Sequence, residues 1–211
     1  EFADHRPYVL GDDLRFVDWN VYGRLGQLFL KLFQEELDLT VHVAFDRSLS
    51  MGHPTADKYR FVRQLAAALG YVSLVHNNRV TVSAFADRVT AQVANLRGRG
   101  RLSELAELMM TVDADGPSLF DTAAKQLVSS TPSSGVMLVI SDFLFKEGYE
   151  SGLKRLIGRC HDLYVIQTLA PEEMDPSLSG DLKLVDIEDG DLSEVTVSSA
   201  LIKHYKRNVT A

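Results

Sequence analysis

The sequence predicts an α/β fold: a doubly wound, mostly parallel sheet of the Rossmann type with helices on both faces. Three observations lead there. Residues 39–45 and 135–140 are largely apolar and rich in β-branched side chains, as strands buried on both faces are. Strand-like runs then alternate with segments whose apolar residues recur at helical spacing. Each apolar run leads directly into a polar turn carrying an aspartate, Asp46 in one and Asp142 in the other.

The elements follow in order. Residues 28–33 (Leu-Phe-Leu-Lys-Leu-Phe) read as a strand paired with the strand that ends at Asp46. Residues 56–76 place Phe61, Leu65, Ala68, Val72 and Val75 at helical spacing, and Asn77-Asn78 ends that helix. Residues 80–85 alternate Val80, Val82 and Ala84 against Thr81, Ser83 and Phe85, a strand pattern. Leu102, Leu105, Leu108 and Met109 mark a short helix, and residues 118–130 another. After the second buried strand come a helix over 149–159 and a strand over 163–169. Residues 182–187 and 195–197 flank Asp189-Gly190, which predicts a hairpin at the sheet edge, followed by a C-terminal helix. The expected division is an N-terminal segment with an edge strand over residues 1–37, and an α/β domain with its hairpin and helix over 38–211.

Composition narrows the function classes. The chain has 211 residues, 45% hydrophobic and 24% charged, enough for one well-packed α/β domain. A formal net charge of -7 argues against nucleic-acid binding. The local basic run Arg97-Gly98-Arg99-Gly100-Arg101 reads as a solvated turn before a helix. A single cysteine, Cys160, excludes an intrachain disulfide and reads as a small apolar residue near a helix end, which fits a reducing, cytoplasmic setting. No run of about 18 or more apolar residues exists to span a membrane. The chain has no initiator Met and no signal peptide and reads as a segment of a longer protein, so membrane association through other segments stays open.

Asp46-Arg47-Ser48-Leu49-Ser50 carries the chemistry. A carboxylate and two hydroxyls at alternate positions after a buried strand direct hard oxygen atoms at one small volume. That set suits Mg²⁺ or Mn²⁺, with Ca²⁺ as an alternative, and the absence of His and Cys from the cluster disfavours zinc. An ordinary loop, with Ser50 capping the next helix, is the competing reading. Right-handed crossovers place successive parallel strand ends at one edge, so Asp142 is expected beside Asp46 at the carboxyl edge, where open α/β sheets bind ligands. Ser118, after Gly116-Pro117, is a further candidate ligand; with Asp121 it also reads as a variant capping box.

Asp46-x-Ser48-x-Ser50, Ser118 in its Gly-Pro-Ser loop and Asp142 after a hydrophobic strand resemble the metal-ion-dependent adhesion site of von Willebrand factor A domains, over roughly residues 38–170. That family usually has Thr where this chain has Ser118. The upstream residues Arg6-Pro7-Tyr8, Gly11-Asp12-Asp13, Arg15, Asp18-Trp19-Asn20 and Arg24 resemble the signature of a bacterial von Willebrand-like group, domain of unknown function fifty-eight. The resemblance implies metal ligation by Asp46, Ser48, Ser50, Ser118 and Asp142. It also implies a partner that offers an Asp or Glu to the metal, and a MoxR-type AAA+ ATPase as that partner in a chaperone-like or assembly role.

Read without the family, Arg6, Arg15 and Arg24 pair with Asp12, Asp13 and Asp18, while Tyr8 and Trp19 pack against the sheet; a partner-recognition surface is the alternative. The expected function is non-enzymatic, metal-dependent protein binding. A metal-dependent hydrolase or phosphotransfer enzyme is disfavoured because Ser48 stands where phosphoaspartate-forming hydrolases need a second Asp. No nucleophile elbow, phosphate-binding loop or His-Glu-x-x-His motif appears either. A structural domain with an empty site is the third reading. His42 reads as a core residue, His76 as a helix-end residue, and His53, His161 and His204 as solvated.

Overall fold

A computed structural model of the chain describes residues 2–33, 39–130, 135–160 and 162–209. The chain divides into two compact units, Glu1–Asp38 and Leu39–Ala211. The expected 37/38 boundary and His161 lie outside the described residues.

In the first unit, β1 (Phe2–Pro7) and β2 (Phe29–Phe33) form an antiparallel pair, joined through α1 (Trp19–Leu25). The segment 28–33 is thus a strand, but its partner is β1 and not the strand ending at Asp46. Val17 bridges to Leu30, and both are buried as a small core. Arg6 grips Asp12 with two bonds of 2.8 and 2.7 Å, and Arg15 pairs with Asp13. Asp18 takes His5 and Lys31 in place of Arg24, and caps α1 through the amides of Asn20 and Val21. Trp19 is 61% exposed and meets Tyr22 edge-on, so it is not a packed residue.

The second unit is built on a five-stranded sheet. Its elements are β3 (Thr40–Asp46), α2 (Ala56–Val75), β4 (Arg79–Phe85), β5 (Val89–Arg97), α3 (Leu102–Thr111), α4 (Phe120–Ser130), β6 (Val136–Ser141), α5 (Glu150–Ile157) and β7 (Asp162–Gln167). The strand order is β5-β4-β3-β6-β7, parallel except for β5. This is the doubly wound α/β architecture that the alternating pattern predicts. Val43 and Phe45 face α2 and α3, whereas Ala44, Met137 and Val139 face α4 and α5. The chain leaves β3 on one side for β4 and returns on the other as β6, so the ends of β3 and β6 flank the switch point.

Two details depart from the sequence pattern. β5 is an antiparallel strand where none is expected: Val89, Ala91 and Val93 alternate, but Asn95 (φ 55°) breaks the period and the register shifts there. The buried stripe of α2 is Tyr59, Val62, Ala66, Gly70 and Leu74, while Phe61 and Val72 are exposed. Small and polar residues dilute that stripe, so hydrophobicity alone points to the wrong face.

Beyond the sheet lie α6 (Pro171–Met174), the hairpin β8 (Gly180–Val185) and β9 (Leu192–Val197), and α7 (Ser199–Val209). The hairpin forms, but as a separate two-stranded sheet, with no ladder to the five-stranded one among the described residues. Its loop is longer than the two-residue turn that Asp189-Gly190 suggests: Val185 pairs with Leu192, and Gly190 supplies a left-handed φ of 77°. Among the described residues no helix is long and apolar enough to cross a membrane.

Candidate metal centre

β3 delivers Asp46 fully buried at its carboxyl end. The chain then turns sharply because Asp46 Oδ1 accepts the Ser48 amide at 2.8 Å. The Ser48 and Ser50 hydroxyls lie 3.0 Å apart, Ser48 fully buried and Ser50 half-buried. Ser50 sits in a 3-10 turn, Leu49–Gly52, rather than capping α2, whose N-cap is Thr55.

A second loop is fastened to the first. The Leu49 amide donates to the Gly116 carbonyl at 2.9 Å, and the Asp115 amide to the Arg47 carbonyl at 2.7 Å. Arg47 Nε adds a bond to the Asp113 carbonyl. Gly116 takes a φ of 92°, which turns the chain toward Pro117 and Ser118. Ser118 therefore arrives on the rim of the same cleft as Ser50 and Asp142. The capping box with Asp121 is not made. The Ser118 amide donates instead to Glu188 Oε2 at 2.7 Å, and Asp121 pairs with Lys125 and Arg155.

The neighbouring strand closes the arrangement. Ser141, the last residue of β6, donates its hydroxyl to Asp46 Oδ2 at 2.7 Å. Asp142 is buried; its Oδ1 accepts the Leu144 amide, and its Oδ2 accepts Lys58 Nζ at 3.0 Å. Lys58, with a side chain 2% exposed, also binds Glu173 of α6 at 2.6 Å. The cleft above has a volume of about 370 Å³, and its rim includes Ser50, Ser118, Asp142, Lys146, Glu173 and Glu188.

The electrostatics of the two aspartates differ. Asp142 has a lysine. Among the described residues Asp46 has only neutral donors, the Ser48 amide and the hydroxyls of Ser141 and Ser48. Burial, and then the charge of Asp142, push the Asp46 carboxyl up to about 7 despite those donors. A buried carboxylate without a cation among the described residues, beside two neighbouring hydroxyls and a second carboxylate, is a donor set suited to a small hard cation. Among the described residues no three His, Cys, Asp or Glu side chains converge as a metal set, so serine hydroxyls would have to supply most ligands.

Of the five residues singled out in the sequence, Ser50, Ser118 and Asp142 line the cleft, while Asp46 and Ser48 are fully buried at the adjoining end of β3, tied to the lining by the 3.0 Å contact between the Ser48 and Ser50 hydroxyls. Ser141, Lys58, Glu173 and Glu188 complete the surroundings and were not candidates. Ser141 had a legible signal, its place at the end of the second buried strand. The other three look like solvated charges in the sequence. His42 is buried in β3, His76 is the C-cap of α2 and His53 is exposed; none belongs to this cluster.

The family described as protein of unknown function DUF58 has a model that matches residues 4–211. The chain belongs to that family. Uncharacterised proteins Rv1480 of Mycobacterium tuberculosis and Mb1516 of Mycobacterium bovis are each 26% identical over 217 residues, covering 100% of this chain and 68% of the relative. Among solved structures, an aerotolerance-related membrane protein from Bacteroides fragilis is similar at a TM-score of 0.46 and 16% identity, over 82% of this chain and 88% of that one. A D319A mutant of the PilB minor pilin from Streptococcus sanguinis is similar at a TM-score of 0.37 and 13% identity, over 88% of this chain and 50% of that one.

Proposed function

We propose that this DUF58 chain is a non-enzymatic protein-binding module whose binding depends on a divalent cation. Mg²⁺ or Mn²⁺ suits the oxygen donors best, with Ca²⁺ as an alternative. The hydroxyls of Ser48, Ser50 and Ser118 and the carboxylates of Asp46 and Asp142 would hold it, in the manner of a metal-ion-dependent adhesion site. Lys58 already occupies one oxygen of Asp142, which favours action through water for that carboxylate. When bound, the ion supplies an electrophilic centre that neutral hydroxyls leave undercompensated, so an Asp or Glu from a partner is the matching group. A MoxR-type AAA+ ATPase, in a chaperone-like or assembly role, is the partner that the family resemblance implies.

The observation that supports this reading most is Asp46: a fully buried carboxyl group with only neutral hydrogen-bond donors among the described residues, next to a cleft lined by Ser50, Ser118 and Asp142. A loop-former with no ligand would be expected at the surface or paired. The test compares ATPase binding in Mg²⁺, in chelator and with Asp46→Ala. Binding is expected only for wild type in Mg²⁺, and equal affinity in all three rejects the module. Mg²⁺-dependent turnover of a generic phosphoester, lost in Asp46→Ala, would overturn the non-enzymatic half of the proposal.

A further inference from the structure

The β8–β9 hairpin reaches the cleft with a single carboxylate. Glu188 Oε2 accepts the Ser118 amide at 2.7 Å, across 70 positions of sequence. Glu188 Oε1 is buried and has no hydrogen-bond partner among the described residues. The rest of the loop is arranged around it. Asp186 Oδ1 accepts the Glu188 amide at 2.8 Å and turns the loop tip. Lys146 then gathers Asp186, Asp189 and Asp191, so three of the four loop acids share one ammonium. Glu188 is the loop acid without a cation among the described residues.

We infer that Glu188 is a built-in acidic ligand of the candidate metal centre, standing where a partner's carboxylate enters, so that a partner binds by displacing it. This rests on the metal-dependent reading above. A mere latch explains one carboxylate oxygen, the one on the Ser118 amide. It does not explain a second oxygen buried without a donor, in a cleft that Asp142 and Glu173 also line. Like charges repel there, and a cation held by Ser50 and Ser118 turns that repulsion into attraction. The hairpin is also built to leave. Among the described residues no ladder joins it to the five-stranded sheet, and most of its strand residues are exposed.

The test uses Mn²⁺ as the probe, with bound water counted by water-proton relaxation on the whole chain. Wild type is expected to show one fewer Mn²⁺-bound water than Glu188→Ala, and to bind Mn²⁺ tighter by about tenfold or more. Acetate, the smallest carboxylate, is expected to remove the extra water in Glu188→Ala and to leave wild type unchanged. Lys146→Ala, which frees the loop without touching a ligand oxygen, is expected to give an intermediate water count. Identical water number and Mn²⁺ affinity in wild type and Glu188→Ala would overturn the inference while leaving the metal reading standing. Wild type binding no more Mn²⁺ than Asp46→Ala would overturn the metal reading, and the inference with it.

Discussion

Asp18 opens α1 in the first unit and Asp46 closes β3 in the second, and both are buried. Asp18 is surrounded by groups that want a negative charge. Hydrogen bonds from His5 and from the Val21 and Asn20 amides, with the Lys31 ammonium nearby, hold its carboxyl down at about 2. Asp46 is buried beside a second carboxylate with neutral donors alone among the described residues, and is pushed up to about 7. The same side chain is thus a finished structural device in one unit and an uncompensated group in the other. Buried charge is ordinarily satisfied where stability is the only demand, and the exception at Asp46 is what the proposed metal-dependent reading accounts for.

Four measurements break or sharpen that contrast. The largest effect is expected at Lys58, the buried ammonium that pairs with Asp142 and Glu173 next to Asp46. Lys58→Met leaves Asp142 and Glu173 facing each other in a buried space and should cost about 3–5 kcal/mol in urea unfolding. A loss under about 1 kcal/mol would mean that this lysine does not balance the cluster.

Next comes Asp46 itself, measured in chelator. Its folded value of about 7 lies above the ordinary 3.8, so its ionisation opposes folding. The penalty is absent below about pH 4, grows as pH rises toward 7 and is constant above. Wild type should therefore lose on the order of a few kcal/mol relative to Asp46→Asn between pH 4 and 8. Parallel stability curves for the two proteins would remove the contrast with Asp18. Under the proposed metal-dependent reading a divalent ion takes the deprotonated form, so Mg²⁺ binding should tighten with pH up to about 7 and then level off.

Asp18→Ala should have a smaller effect, about 1 kcal/mol, since it removes an N-cap. Faster hydrogen exchange at the Asn20 and Val21 amides is the direct check. The sign of its pH dependence is opposite to that of Asp46. Its folded value is depressed, so its contribution is present above the ordinary carboxyl value and is lost as pH falls through about 2. The smallest effect belongs to the exposed pair of Arg15 and Asp13, where Arg15→Ala should leave the urea midpoint unchanged within error.

Much of this was legible beforehand because it is written in local pattern. The two β-branched runs and the helical spacings predicted the doubly wound sheet, and the place of Asp46 and Asp142 at strand ends brought them to one edge by topology. Patterns that tertiary packing modifies were less legible. The 28–33 strand was expected beside β3 and pairs with β1, because strand periodicity carries no information about which edge is free. The bulge in β5 interrupts the alternation that would mark it as a strand, and the buried face of α2 is hidden in the sequence because Ala66 and Gly70 pack closely without being strongly apolar.

By itself the sequence determined the alternation of strands and helices, the serine and aspartate spacing after β3, and the oxygen chemistry of that loop. These depend on residues a few positions apart, where backbone geometry dictates who meets whom. Only the tertiary structure decided which charges surround that loop. Lys58 reaches Asp142 across 84 positions and Glu173 across 115, Ser141 reaches Asp46 across 95, and Glu188 reaches Ser118 across 70. Whether a buried carboxylate is satisfied depends on such long-range neighbours, because desolvation and Coulomb forces act through space and not along the chain.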